Sequence, residues 1–366
     1  MLIKNILAFL ETVAPASLQE DYDNAGLLAG NSEIECTGVI ISLDCTEEVV
    51  AEALASNCNL IISHHPIIFS GIKKLTGKNY AERVIIAAIK NDIAIYAIHT
   101  NLDNVIAGVN GKIADMLGLV NRKVILQKEF QLKKLITFAP VEMAEKVREA
   151  IFKAGGGHIG NYSECSFTSE GITSYTPDEG AGPTIGETGK REAGKELKME
   201  FIFFPHLQNK IVAAMKEAHE YEEVAYDIIS LENYMSNRGS GLIGELPAPI
   251  AEPDFIKQVQ SIFKTPIVKH TSFRGKPIKK VALCGGSGSF LLNHLKETDT
   301  DIFITSDIKY HEFFEPDNKF ILADIGHYES EQYTIDLLFD LLREKFPNFA
   351  LLKTGVNTNP VQYFGR

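Results

Sequence analysis

The chain has 366 residues, of which 45% are hydrophobic and 23% charged, and its formal net charge at pH 7 is −12. This composition is typical of a globular protein that is long enough for two domains, or for one large domain with an insertion. The acidic balance argues against sequence-independent nucleic-acid binding, which relies on clustered lysine and arginine, although the cations of a metal site can still attract a phosphorylated ligand.

The first residues predict neither export nor membrane insertion. The segment MLIKNILAFLETVAP lacks an apolar run with a small-residue cleavage site. Its apolar residues recur at helical spacing, at Ile3, Ile6, Leu7 and Leu10. No stretch approaches the ~20 apolar residues of a membrane span. The five cysteines form no C-x-x-C pair, which indicates reduced thiols. We therefore predict an amphipathic first helix and a cytoplasmic protein.

Strand and helix patterns alternate along the first third of the chain. Unbroken apolar runs predict strands at GVIISLD (38–44), NLIISHHP (59–66) and IAIYAIHTNLD (93–103). The helical patterns EEVVAEALASN and YAERVIIAAIKN separate them. Apolar strands that alternate with helices are typical of a sheet that helices cover on both faces.

The middle of the chain follows a different plan. The successive patterns are LKKLITFAP, VEMAEKVREAIFKAG, HIGNYSECSFTSEG, KMEFIFFP, NKIVAAMKEAHE and VAYDIISLE. Their β-α-β-β-α-β order is ferredoxin-like. We therefore predict an α+β domain at 129–234, inserted into a core formed by 1–128 and 235–366. The loop GITSYTPDEGAGPTIGETG is unusually long for a compact domain, which indicates a functional or mobile segment.

The last third distantly repeats the first. KKVALCGGSGS (279–289) and DIFITSD (301–307) predict strands with the helix FLLNHLKE between them, and KFILADIGHYESE (319–331) predicts a third strand with a polar end. The predicted fold class is therefore α/β, with a duplicated core whose sheets are covered by helices and interrupted by the α+β insert.

Two glycine-rich segments are candidates for phosphate binding. GSGLIG (239–244) matches G-x-G-x-x-G, but it precedes a strand pattern, whereas a dinucleotide fingerprint follows one. It echoes NAGLLAG (24–30) and marks the start of the second half of the core. GGSGSF (285–290) lies between a strand and a helix. The backbone amides at Gly285 and Gly286 there predict either an anion-binding nest or a plain tight turn.

Polar clusters follow the apolar strand runs at Asp44, His64-His65, His99 to Asp103, Asp307 and His327 to Glu331. Ligands of open α/β sheets bind outside the carboxyl ends of the strands. Imidazole suits Zn, Fe, Ni or Cu, and carboxylates add affinity for Mn or Mg. If the chain turns helical after His327, Glu331 shares its face and can bridge two cations about 3.5–4 Å apart. The three histidine-containing clusters therefore predict a metal site.

Five stretches resemble a known family: DYDNAGLLAG (21–30), SHHPIIF (63–69), HTNLDN (99–104), TSDIKYHE (305–312) and GHYESE (326–331). They look like the Nif-three-like dinuclear metal proteins, which are also called GTP cyclohydrolase I type 2 homologues. The resemblance runs over both halves of the core in the same order. The insert resembles the PII/CutA-like domain of the longer members. Ser306 stands where the family has glycine, a departure that leaves the metal residues intact.

The resemblance implies two divalent metal ions per subunit, with Zn, Fe or Mn expected. It assigns His64, Asp103 and Glu331 to one ion, and His65, His327 and the same Glu331 to the other. His99 is then an acid/base group near the bridging water or a residue that orients the ligands. The residues expected to orient ligands or contact substrate are Asp44, Asp307, His311, Gly285 and Gly286.

The implied function is hydrolysis of GTP or a related nucleotide by metal-activated water, and the same site would also serve phosphoester hydrolysis. The alternative is a non-catalytic, metal- or effector-binding regulatory protein that uses the PII-like insert. Family members form hexameric toroids from trimers of dimers, which implies a homohexamer here. A nucleotide or other phosphorylated small molecule is an expected ligand, whereas nucleic acid and membranes are not.

Overall fold

The computed structural model describes residues 1–128, 132–159, 162–233 and 238–364. The chain folds as two compact units, residues 1–128 with 236–366 and residues 129–235. The predicted insert limits, 129 and 234, lie outside the described residues. Across the described part of the chain, no helix combines the length and the apolarity that a bilayer crossing requires.

The first unit begins with alternating helices and strands. In chain order these are α1 (Ile3–Val13), β1 (Gly26–Ala29), β2 (Val39–Ser42), α2 (Glu47–Ala55), β3 (Leu60–Ser63), α3 (Tyr80–Lys90), β4 (Ala94–Ala97), α4 (Thr100–Asp103), α5 (Val109–Met116) and β5 (Val120–Gln127). Every residue of β2, β3 and β4 is buried, as their unbroken apolar sequences predict. Side chains cap two of the helices, since Thr46 accepts the Val49 amide of α2 and Asn79 accepts the Glu82 amide of α3.

The second unit has the order β-α-β-β-α-β. Its elements are β6 (Lys133–Ala139), α6 (Val141–Ala154), β7 (Phe167–Tyr175), β8 (Glu192–Phe203), α7 (Gln208–Ala218) and β9 (Tyr226–Ser230). They form one antiparallel sheet in the order β7-β8-β6-β9. Apolar residues of both helices pack on it, among them Val147, Ile151 and Ile211 against Leu135 and Phe201.

The predicted strand HIGNYSECSFTSEG is shifted in the structure. Strand β7 begins only at Phe167 and continues through GITSY, which was predicted to be loop, because these residues pair with β8 from Glu192 onward. The loop between the two strands is therefore shorter, 176–191. Residues 160 and 161 of the predicted strand lie outside the described residues.

The chain then returns to the first unit. The remaining elements are β10 (Gly239–Ile250), α8 (Glu252–Phe263), β11 (Lys269–His270), β12 (Ile278–Ser287), α9 (Leu292–Leu295), β13 (Ile302–Ser306), β14 (Ile321–Asp324), α10 (His327–Glu331), α11 (Thr334–Lys345) and β15 (Leu351–Lys353). The predicted helix FLLNHLKE is reduced to a 3-10 turn at Ser289–Leu291 and the four residues of α9.

Two sheets form the core of the first unit. The five-stranded sheet has the order β1-β4-β3-β2-β15, and the six-stranded sheet has the order β11-β14-β13-β12-β10-β5. Each contains three consecutive parallel strands, β2-β3-β4 and β12-β13-β14. The predicted α/β class with a duplicated core is confirmed. The repeat is inexact at its edges, since β1 pairs with the last strand of its triplet and β10 with the first.

Candidate metal centre

Polar side chains from both sheets meet where the parallel strands end. His64 and His65 directly follow β3, and Asp103 ends α4, the short helix after β4. His327 and Glu331 begin and end α10, which follows β14 of the other sheet. Residues four apart on a helix share one face, so these last two side chains point the same way.

Glu331 lies at the centre of this group and is only 3% exposed. Its Oε2 lies 2.9 Å from Nε2 of His65 and 3.0 Å from Nε2 of His327. Its Oε1 faces the other way, 3.9 Å from Nε2 of His64, which in turn lies 3.6 Å from Oδ1 of Asp103. The two oxygens of one carboxylate therefore serve two separate sets of side chains.

Both sets suit a metal ion. In each, the three atoms that could bind a cation lie within 4.8 Å of one another, and His64, His65 and His99 form a third such group. Two of these atoms, Nε2 of His64 and Oδ1 of Asp103, are buried without a hydrogen-bond partner. Nδ1 of His64 donates to the Ile98 carbonyl at 2.8 Å, which leaves Nε2 with its lone pair. Leaving such atoms unsatisfied costs about 1–3 kcal/mol each, whereas a cation would satisfy both.

The close packing of carboxylates and imidazoles shifts the pKa values of this group. Burial and the charge of Glu331 raise the pKa of Asp103. Burial alone would raise the pKa of Glu331, but the charge and hydrogen bond of His327 hold it well below its usual range. Burial opposes protonation of His65, yet its hydrogen bonds to Asp44 and Glu331 raise its pKa to about 9. Burial opposes protonation of His327 as well, but the charges of Glu331 and Asp307 and the hydrogen bonds to both carboxylates together raise its pKa to about 11. The protons on Nε2 of His65 and His327 lie between these rings and Glu331, where a cation would bind.

A second layer of carboxylates fixes two of the imidazoles. Asp44 accepts a hydrogen bond from Nδ1 of His65 at 2.8 Å and another from the Thr358 hydroxyl at 2.8 Å. Asp307 accepts from Nδ1 of His327 at 2.6 Å. Each carboxylate directs the opposite ring nitrogen, Nε2, toward Glu331, as the outer residues of metal sites do. Of the two roles predicted for Asp44 and Asp307, these contacts support the orienting one.

His99 is held beside the same group by a residue that sequence reasoning missed. Its Nδ1 lies 2.8 Å from Oδ1 of Asp23, whose other oxygen accepts the amide and the hydroxyl of Thr100. These contacts outweigh burial and lower the pKa of Asp23 to about 2. The His99 ring lies 5.3 Å from that of His64 and 5.4 Å from that of His65, centroid to centroid. Asp23 precedes every parallel strand, so the strand-end pattern gave no signal for it.

The glycines of β12 do not form the predicted anion nest. The amide of Gly285 donates to Oδ1 of Asn110 at 2.9 Å, and the amide of Gly286 donates to the Ser330 hydroxyl at 3.0 Å, so neither is free for a ligand. Their contribution is steric. A Cβ at Gly286, whose φ is +61°, would lie 2.3 Å from Oε1 of Glu331.

The structure also corrects the prediction for His311. This residue is exposed in a 3-10 turn, where its ring contacts those of Tyr310 and Phe314. It does not line the cavity described below. The spacing of TSDIKYHE suggested a position at the strand end, but the turn after β13 carries the side chain away from the metal-binding group.

The group opens into a cavity of about 990 Å³. Exposed aromatic side chains, including Tyr22, Phe69 and Phe290, line its walls. Lys269 is the one lysine or arginine among the described residues that line it, and its ammonium pairs with Asp324 at 2.6 Å. No lysine or arginine of the described lining is therefore unpaired, and bound cations would supply positive charge for an anionic ligand.

Comparisons with known proteins agree with this architecture. A family model described as Duf34/NIF3 (NGG1p interacting factor 3) matches residues 1–360. A Halalkalibacterium halodurans protein named GTP cyclohydrolase 1 type 2 homolog is 36% identical over 368 residues, covering 98% of each chain. The crystal structure of a Bacillus cereus protein related to NIF3 has a TM-score of 0.85 and 35% identity, covering 100% of this chain and 99% of that one. A Staphylococcus aureus protein of known structure has a TM-score of 0.76, 29% identity and the same coverage.

Replacing Gly286 with alanine is expected to displace the Glu331 carboxylate and reduce metal binding, while the protein still folds. The added methyl group would meet Oε1 of Glu331 at 2.3 Å. Metal content after reconstitution, measured by mass spectrometry, reads out the effect. The matched control is Gly275→Ala, which has a similar φ of +73° but no atom within 4 Å of the added methyl. Equal metal loss in both variants would contradict the steric role of Gly286.

Replacing Asp307 with asparagine is expected to weaken metal binding at the His65/His327 position by about 10–100-fold, because His327 loses the partner that orients it. Competition with a chromophoric chelator measures the affinity. Asp299→Asn removes an exposed carboxylate that pairs with Lys280 and serves as the control. Unchanged affinity in the Asp307 variant would show that Asp307 does not support the ligand.

Proposed function

The chain belongs to the Duf34/NIF3 family, and from this premise we propose that it is a metal-dependent hydrolase whose two divalent cations share the carboxylate of Glu331. One observation carries the proposal. The two oxygens of this single buried side chain face two different sets of potential ligand atoms. A bridging carboxylate of this kind is what two-metal hydrolases require.

The proposed ligands divide between the two sets. His64, Asp103 and Glu331 would hold one cation, and His65, His327 and Glu331 the other. The mixed imidazole and carboxylate donors suit Zn, Fe or Mn. When bound, the pair of cations would supply an activated water and neutralise charge that develops on the substrate.

The protein's own groups would orient the reaction. Asp44 and Asp307 hold the rings of His65 and His327 so that Nε2 of each faces inward. Asp23 engages Nδ1 of His99, which leaves Nε2 of His99 as the atom that would take up or give a proton at the cavity wall. The role proposed for His99 is therefore general acid or base.

The proposed substrate class is a purine nucleotide, with GTP as the first member to test. The support is the name GTP cyclohydrolase 1 type 2 homolog carried by relatives at 36% and 37% identity. The cavity volume of about 990 Å³ lies at the upper end of the range for ligand sites, and its aromatic walls suit a stacked base. Because Lys269 is already paired, nucleotide binding is expected to depend on the cations.

Replacing Glu331 with glutamine is expected to reduce metal content from about two ions per chain to one or fewer, because the neutral amide cannot bridge two cations. Metal analysis after careful repletion, with circular dichroism as the folding check, tests this. Glu344→Gln changes an exposed glutamate of α11 and serves as the control. Fewer than about two metals per wild-type chain would overturn the dinuclear proposal.

The metal-loaded wild-type protein is expected to release formate from GTP, or phosphate if it acts as a phosphoesterase, and to lose this activity on chelation. A nucleotide panel read out for both products separates the two reactions. Absence of both products, with metal bound, would overturn the hydrolase proposal and favour the non-catalytic regulatory alternative. The homohexamer implied by the family resemblance stays a prediction that light scattering can test.

A further inference from the structure

The second unit contains a cavity of its own, of about 450 Å³. Strands β6, β7 and β8 form one side of it, and the residues between α7 and β9 form another. This volume is within the range of sites for small molecules. The cavity lies entirely in residues 129–235 and shares no lining residue with the metal centre.

The long loop 176–191 lines part of this cavity and is anchored by three hydrogen bonds to neighbouring residues. The Tyr175 hydroxyl of β7 donates to the Ile185 carbonyl at 2.7 Å. The amide of Gly182 donates to the Glu222 carboxylate at 2.8 Å, and the Thr184 hydroxyl donates to the Glu220 carbonyl at 3.1 Å. Pro177, inside the loop, is buried and accepts the Gly189 amide at 2.8 Å. Of the two roles that its length predicted, functional or mobile, this anchored position at a cavity supports the functional one.

The chemistry of the lining is aromatic and acidic. Phe138, Tyr175 and Tyr221 contribute rings, and Glu196, Glu222 and Glu223 contribute carboxylates. No lysine, arginine or histidine lines the cavity among the described residues. Aromatic faces and carboxylates together attract cations, and organic ammonium groups above all.

Glu196 is the decisive residue. It is 7% exposed, and Tyr221 donates its hydroxyl to Oε1 of Glu196 at 2.6 Å. No ion pair of Glu196 is present in the described part of the chain. A buried carboxylate whose hydrogen-bond partner is a neutral hydroxyl lacks the counter-charge that would offset its desolvation. A cation in the cavity would supply it.

The nearby His219 does not provide that charge. Its Nδ1 accepts the Tyr221 amide at 3.1 Å, and its Nε2 donates to the Phe138 carbonyl at 3.0 Å. Accepting at one nitrogen and donating at the other is the pattern of the neutral ring. Its ring also packs against Tyr221, with the centroids 4.7 Å apart, and so holds that aromatic side chain at the cavity.

We propose that this cavity binds a small organic cation with an ammonium group, held by the Glu196 carboxylate and by the rings of Tyr175 and Tyr221. The proposal does not depend on hydrolysis at the metal centre. The proposal names organic ammonium compounds as the ligand class of the insert, which the ferredoxin-like fold alone does not specify.

Choline and its neutral isostere 3,3-dimethylbutan-1-ol are the probes, because they share shape and differ in charge. With full-length, metal-loaded protein, saturation-transfer NMR is expected to show saturable choline binding, and binding of the alcohol about tenfold weaker or absent. Equal binding of both probes, or no choline binding at millimolar concentration, would overturn the proposal.

Variants locate the site, since the acidic cavity at the metal centre is another place where choline can bind. Glu196→Gln keeps the shape and is expected to weaken choline binding about tenfold or more. Tyr175→Leu removes one ring and is expected to weaken it about threefold or more. Glu170→Gln, at an exposed position on β7 that pairs with Lys195, is the matched control and should bind like wild type. Choline binding that survives in both cavity variants would refute the assignment.

Discussion

The first unit is organised around the buried negative charge of the Glu331 carboxylate. Glu331 and Asp103 are carboxylates packed among imidazoles at the ends of two sheets, and Glu331 is almost completely buried. Two buried acids so close together repel, and without a cation the group relies on protonated His65 and His327. A pair of divalent cations would take the place of the protons on His65 and His327 and would neutralise the two carboxylates.

The surrounding structure is arranged to keep these atoms in place. Asp44 and Asp307 orient two of the rings, while the bare backbone of Gly286 leaves room for Oε1 of Glu331. A segment near residue 358 contributes as well, since the Thr358 hydroxyl donates a hydrogen bond to Asp44, which lies more than three hundred positions earlier in the chain. A site built from such distant segments forms only when the whole unit has folded, so metal binding there would be thermodynamically linked to folding.

The insert also places a buried carboxylate at a cavity. Its buried carboxylate, Glu196, has no ion pair among the described side chains, and aromatic rings rather than imidazoles line the cavity beside it. Imidazole nitrogens favour a transition-metal ion, whereas ring faces favour an organic ammonium group. The acidic cavities of the two units thus differ in their lining, so the hydrolysis proposed at the metal centre and the ammonium binding proposed in the insert do not need the same ligand.

The sequence by itself determined the parallel core strands, since runs such as VIIS and LIIS are apolar throughout and read as strands buried on both faces. The sequence also determined which polar side chains follow the strands. The candidate metal-binding residues could therefore be named from the sequence: His64, His65, Asp103, His327 and Glu331. Only the tertiary structure decided that the two oxygens of Glu331 face different side chains and that Asp23 hydrogen-bonds His99. It also decided that the amides of Gly285 and Gly286 donate to protein side chains, and that His311 lies in an exposed turn away from the metal-binding group. The physical reason is that strand periodicity is a local property of the chain. Hydrogen-bond partners and charge neighbours are set by contacts between segments as far as 314 residues apart, which no local pattern encodes.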